Sequence, residues 1–313
     1  MSQYRIDQIT NQAGTAGPQV AGITTFSGVS GIIMPIGAEE YRGGRGRGLF
    51  GGGRGTPGSN TIQYVTISTT SNAFDFGDLT AGRRWSAACA SSTRGIWGGG
   101  ETGPSNVLDY VTISSTGNAF DFGDLFVARG NIASCSSNIR GIWAGGGAPG
   151  AVTTIDYVTI SSLGNASFFG DLTNACSYSN GVSSQTRGVF NLGIISPLAV
   201  NVMNYITIAT TGNAQDFGDL TVSRFANGSC SNSVRGLFGG GYLAPTGNSN
   251  VIDYITIAST GDAIDFGDLT VSRGALAAVS SSTRGVFGGG VSPTYVSTVD
   301  FVTIASIGNA TSF

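Results

Sequence analysis

One short motif organises most of this chain. Arg-Gly-[Leu/Ile/Val]-[Phe/Trp] begins at Arg47, Arg94, Arg140, Arg187, Arg235 and Arg284, in steps of 47, 46, 47, 48 and 49 residues. A fixed period of this length marks a repeat architecture, in which each unit buries its apolar face against the next. A chain built this way cannot form a single irregular core.

Each unit reads as four short strands. Strand A is a run of small residues such as AACASS, strand B is RGIWGGG, strand C is the YVTI run and strand D is NAFDFGDL. Ser, Thr and Asn join A to B, and Gly-Asn joins C to D, which is hairpin chemistry. Four-stranded units of about 40–50 residues read as propeller blades. Small side chains on strand A suit inner strands converging on an axis. Aromatics on B (Trp97, Trp143), C (Tyr110, Tyr157) and the DF pair (Phe122, Phe169) read as packing between blades. Composition agrees with an all-β chain. There are 51 Gly and no His, all 15 basic residues are Arg, and the acids include only Glu39, Glu40 and Glu101 as Glu. Helices favour Lys and Glu.

Six B strands imply six blades over residues 41–313, preceded by an extended arm over 1–40. Blade 1 has no strand A within the repeats. Either residues 28–37 (GVSGIIMPIG) supply it and close the ring, or the chain is a fragment ending partway through strand D of blade 6. The polar opening MSQYRIDQIT lacks the apolar run of a signal peptide, and no stretch approaches the ~18 apolar residues of a membrane span. A soluble chain that is not Sec-exported is expected.

Most charges follow the repeat. Asp precedes the aromatic of strand C at Asp109, Asp156, Asp253 and Asp300, and precedes Leu at Asp78, Asp124, Asp171, Asp219 and Asp268. Arg opens strand B six times and closes the D-to-A connection at Arg83, Arg129, Arg224 and Arg273. A charge copied into every blade points to turn hydrogen bonds or blade-to-blade Arg–carboxylate pairs, because a catalytic group normally occurs once. Without His or Lys there is no Ser–His–Asp triad, no Schiff base and no Walker loop. No catalytic residue, metal site or cofactor is expected. The four DFG triplets are not a kinase signature without Lys and an HRD loop. Cys89, Cys135, Cys176 and Cys230 are expected to be buried free thiols. The segment RGGRGRGLFGGGRG resembles an RNA-binding RGG tract. It overlaps strand B of blade 1, follows two Glu and sits in a chain of net charge −3, so nucleic acid is not the expected partner.

Antiparallel order places the B–C and D–A connections on one face. The A–B and C–D turns are nearly constant, whereas the B–C loops differ in every blade and each carries one Pro (Pro57, Pro104, Pro149, Pro197, Pro245, Pro293). Variable, stiffened loops on one face suit recognition. The candidate contacts are the unrepeated side chains there: Arg54, Glu101, Tyr242, Asn248 and Tyr295.

Two resemblances add to this reading. The Gly-Gly after strand B, the hydrophobic-Asp-Tyr strand C and the Arg ending the D-to-A connection resemble a kelch blade over residues 44–313, with the Phe of DFGD where kelch repeats carry Trp. The resemblance implies a six-bladed kelch-like β-propeller and no particular activity. RIDQITNQAGTAGP followed by GITTFSGVSGIIMPIG resembles N-terminal segments of virion proteins from tailed phages of marine cyanobacteria. That likeness implies a non-enzymatic structural protein of the particle (tail fibre, baseplate or capsid appendage), assembled in the host cytoplasm. Residues 1–40 would dock it to other virion proteins, and the propeller would bind protein or host-surface polysaccharide. The competing reading is a glycan-processing or lectin-like propeller.

Overall fold

The computed structural model describes residues 46–54, 58–100, 103–147, 149–245 and 247–313. The arm over 1–40, the proposed closing strand at 28–37, Pro57 and Glu101 lie outside the described residues. Among those described there is no helix, and the chain is a six-bladed β-propeller.

Strand B occupies Arg47–Gly51, Arg94–Gly98, Arg140–Ala144, Arg187–Asn191, Arg235–Gly239 and Arg284–Gly288. Each pairs antiparallel with its strand C, such as Val107–Thr112 or Val251–Thr256. Strand D follows at the outer edge, as in Phe120–Asp124 and Ile264–Asp268. Strand A lies inside B in blades 2 to 6: Ala87–Ala90, Ala133–Ser136, Asn180–Ser183, Gly228–Ser231 and Ala277–Ser280. The blade 1 sheet has three strands among the described residues.

The small residues of strand A let neighbouring inner strands touch. Ser183 Oγ donates to the Ser136 carbonyl at 2.8 Å, Ser231 Oγ to that of Ser183 at 2.9 Å and Ser280 Oγ to that of Ser231 at 2.7 Å. The thiols of Cys89, Cys135 and Cys230 press on the strand-B glycines of the following blade, Gly141, Gly188 and Gly285. All four cysteines are buried and none forms a disulfide, and burial pushes the Cys176 thiol up to about 12. Such thiols behave as small hydrophobes.

The aromatics divide their work more finely than the sequence suggests. The B aromatics do pack between blades: Trp97 lies over Gly51, Trp143 over Gly98 and Phe287 over Gly239. The C and D aromatics also meet within one blade, edge to face at 5.9–6.1 Å, as in Tyr110–Phe122 and Tyr254–Phe266, while Phe122 and Phe266 share their core clusters with Trp143 and Phe287 of the next blade. The Phe of DFG reaches the core because the C–D pairing slips there: Leu108 faces Gly123 and Asp109 faces Asp121, so Phe122 bulges inward. Gly123 has a positive φ and backs onto the Gly164 carbonyl of the next blade, where any side chain would collide.

Candidate functional site

The repeated charges build the ring. Each strand-B Arg stacks on the strand-C aromatic of its own blade, 4.3–4.9 Å from the ring centroid. Each also donates to an Ile carbonyl of the next blade: Arg47 to Ile113, Arg94 to Ile160, Arg140 to Ile208, Arg187 to Ile257, Arg235 to Ile304 and Arg284 to Ile67, at 2.9–3.1 Å. Of the two expected partners, a hydrogen bond in a turn or a carboxylate across the blades, these six Arg take the first, at the carbonyl that ends strand C of the next blade.

Ion pairs form at the other repeated Arg. Arg83–Asp109, Arg129–Asp156, Arg224–Asp253 and Arg273–Asp300 are the pairs among the described residues, all essentially buried. Three of these Asp also accept a Thr hydroxyl, from Thr80, Thr221 and Thr270, so each crossover is pinned by the Asp of the blade it enters. Burial pushes the Asp156 carboxyl up and the Arg224 guanidinium down, against the attraction of their partners. Blade 4 lacks both charges at once, with Cys176 and Asn204 in their places. The backbone N–H groups of Asp78, Asp124, Asp171, Asp219 and Asp268 donate to an Asn or Asp side chain in the next C–D turn at 3.0–3.1 Å, and the Asp171 carboxylate also accepts the Thr153 hydroxyl at 2.7 Å.

The unrepeated residues gather at the mouth of the propeller, on the face of the B–C and D–A connections. Nine residues before the strand-B Arg, Trp85, Asn131, Tyr178, Ala226 and Ala275 all take a left-handed backbone, φ 51–58°. Such a conformation is costly for bulky residues. It is held here by a chain of backbone bonds running blade to blade: Asn131 N–H to Trp85, Tyr178 to Asn131, Ala226 to Tyr178 and Ala275 to Ala226, at 2.8–3.2 Å.

Side chains projecting from this ring form an arc of contacting aromatics. Trp85 meets Tyr178 at 5.4 Å, Tyr178 meets Phe225 at 5.7 Å and Phe225 meets Tyr242 at 5.4 Å. Phe225 and Tyr242 are fixed further by reciprocal backbone bonds. Across the mouth, the Arg54 guanidinium lies 5.6 Å from the Tyr295 ring centroid. Burial pushes the Tyr242 phenol up, the Tyr295 phenol adds to this and Arg54 opposes it.

Of the five residues expected to make contacts, Arg54, Tyr242 and Tyr295 therefore share one mouth, while Glu101 lies outside the described residues. Asn248 is held structurally: its Nδ2 donates to the Val291 carbonyl at 2.8 Å, tying blade 5 to blade 6. Trp85, Tyr178 and Arg84 line the same mouth, with Phe225 packed between Tyr178 and Tyr242, and all four escape the loop-based reading, because they stand at the front of strand A. Their signal is a break of pattern, large residues at the head of a block otherwise made of small ones. Among the described residues no group of His, Cys, Asp or Glu could hold a metal. No protein-family model matches the chain, and no curated protein matches it in sequence.

Proposed function

We propose that this protein is a non-enzymatic binding module that takes a saccharide at the propeller mouth. It would be carried as a structural protein of a phage particle and present that mouth to the host surface. The observation that supports the binding role is the aromatic arc from Trp85 to Tyr242, fixed on a hydrogen-bonded ring. Preset aromatic faces with polar tips offer contact area at little entropic cost. A sugar ring matches them, because its C–H faces stack on aromatics while its hydroxyls reach the Tyr and Asn groups around the rim. The absence of catalysis is part of the proposal. It is supported by the strand-C carboxylates being closed off by Arg and Thr. The virion setting, with docking through residues 1–40, is supported by the resemblance of the N-terminal segment.

Glycan-array binding with the full-length protein tests the reading. Retained oligosaccharides that remain unhydrolysed are expected, with retention lost in Trp85→Ala. Blades 5 and 6 already carry Ala at this position, so the variant should stay folded. An array that retains no saccharide would overturn the binding role, and depolymerisation of a bound chain would overturn its non-enzymatic character.

A further inference from the structure

The described lining of the mouth is unbalanced in charge. It contains two charged residues, Arg54 and Arg84, and no carboxylate. Neither Arg belongs to any of the four ion pairs among the described residues. Arg84 is also unlike the rest of its repeat. Gly130, Ser177, Phe225 and Gly274 occupy the equivalent position in the other blades, so the ring does not need a cation there. Its Nε is shielded from solvent and has no acceptor. A second shielded donor without an acceptor, Nδ2 of Asn227, lies in the same mouth. Its Oδ1 is already engaged by Asn180 Nδ2 at 3.0 Å.

A buried donor left without a partner costs stability. These two donors, one of them on Arg84 itself, share the lining with the Arg54 guanidinium, which has no ion-pair partner among the described residues, and together they suit a negative oxygen. Arg is the side chain best suited to carboxylate or sulfate, which its planar fork can hold through two parallel bonds. A polyanionic nucleic acid fits less well, because it is usually held by many phosphate contacts, and the described lining of this mouth offers two cations.

We propose that the mouth binds an acidic saccharide, with a uronate or sulfated sugar whose anionic group is held by Arg84 and Arg54 and whose ring packs on the aromatic arc. This inference rests on the mouth being a saccharide site and adds the charge of the ligand.

The experiment measures binding of the full-length protein to a hexamer of galacturonate, to the same hexamer fully methyl-esterified, and to a sulfated hexasaccharide. At least one acidic probe should bind, and the neutral ester should bind at least about tenfold more weakly than its parent acid or not at all. Arg84→Gln and Arg54→Gln should each weaken the acidic probe by about tenfold, and added salt should weaken it further. Circular dichroism of both variants should match the parent and their unfolding midpoints should stay close to it, since neither Arg belongs to an ion pair among the described residues and the Arg54 stack on Tyr295 is a surface contact. Equal binding of the ester and the acid, or undiminished binding by Arg84→Gln, overturns the acidic assignment and leaves the saccharide site standing. If no acidic probe is retained while neutral sugars on the array are, the acidic assignment also fails. Retention of no saccharide of either kind overturns both readings.

Discussion

The guanidinium of Arg284 donates to the carbonyl oxygen of Ile67 at 2.9 Å, joining residues 217 positions apart in the sequence. The bond is chemically the same as the five that link consecutive blades. Arg284→Ala should cost about 1–2 kcal/mol, from one hydrogen bond and one cation–π stack on Phe301. Arg140→Ala, which removes a local link, should cost about the same. Urea unfolding of both variants checks this, and a much smaller loss for Arg284 would mean the ring closes by other contacts.

The Arg224–Asp253 pair is fully buried, so removing one partner strands the other. Asp253→Asn should destabilise by about 3–5 kcal/mol. Blade 4 shows how the fold manages without these charges, with Cys176 and Asn204. The double change Arg224→Cys with Asp253→Asn should therefore recover much of the loss. A double-mutant cycle read by thermal unfolding should give a coupling above about 1 kcal/mol.

Gly188 has no room for a methyl group, since a Cβ there would lie 2.5 Å from Cys135 Sγ. Gly188→Ala should cost about 1–3 kcal/mol through overpacking. Adding Cys135→Ala removes the sulfur and should restore part of it. Equal stability of the single and double variants would show that the strain lies elsewhere.

The native thiols of Cys89, Cys135 and Cys176 should resist alkylation at pH 8 and react after denaturation, because burial holds them protonated. Cys176 is pushed up to about 12, against an ordinary thiol near ~8.5. A raised acid favours the folded state fully below the unfolded value. That advantage is lost as pH climbs from there through the folded value, because only the unfolded chain ionises. Unfolding midpoints should thus fall between about pH 8.5 and 12, and replacing Cys176 with Ser should flatten the decline.

Much of the architecture is legible in the sequence because the units repeat: strand order, blade number, the small inner strand and buried free cysteines all follow from residues seen several times. The partners of repeated groups are harder to read. A strand-B Arg copied into every blade suggests either a turn hydrogen bond or a carboxylate, and spacing alone does not show that its acceptor is the Ile carbonyl of the next blade. Tyr110 and Phe122 look like separate packing positions until the bulge at Phe122 turns one ring onto the other. At the mouth, Tyr242 and Tyr295 stand out as unrepeated loop residues. Trp85 and Arg84 are hidden at the head of a block defined by its small residues, and only the left-handed turn there shows that their side chains leave the inner strand. The Asn248 amide has a structural acceptor, the Val291 carbonyl, that no spacing rule reveals.

All six Arg-to-carbonyl bonds point the same way around the axis, so every blade carries a donor for its successor and an acceptor for its predecessor. A unit of this kind is compatible with any copy of itself. Tandem duplication of the coding segment would supply each new blade with working joints on both sides. The mouth residues could then diverge one blade at a time while the joints stayed fixed.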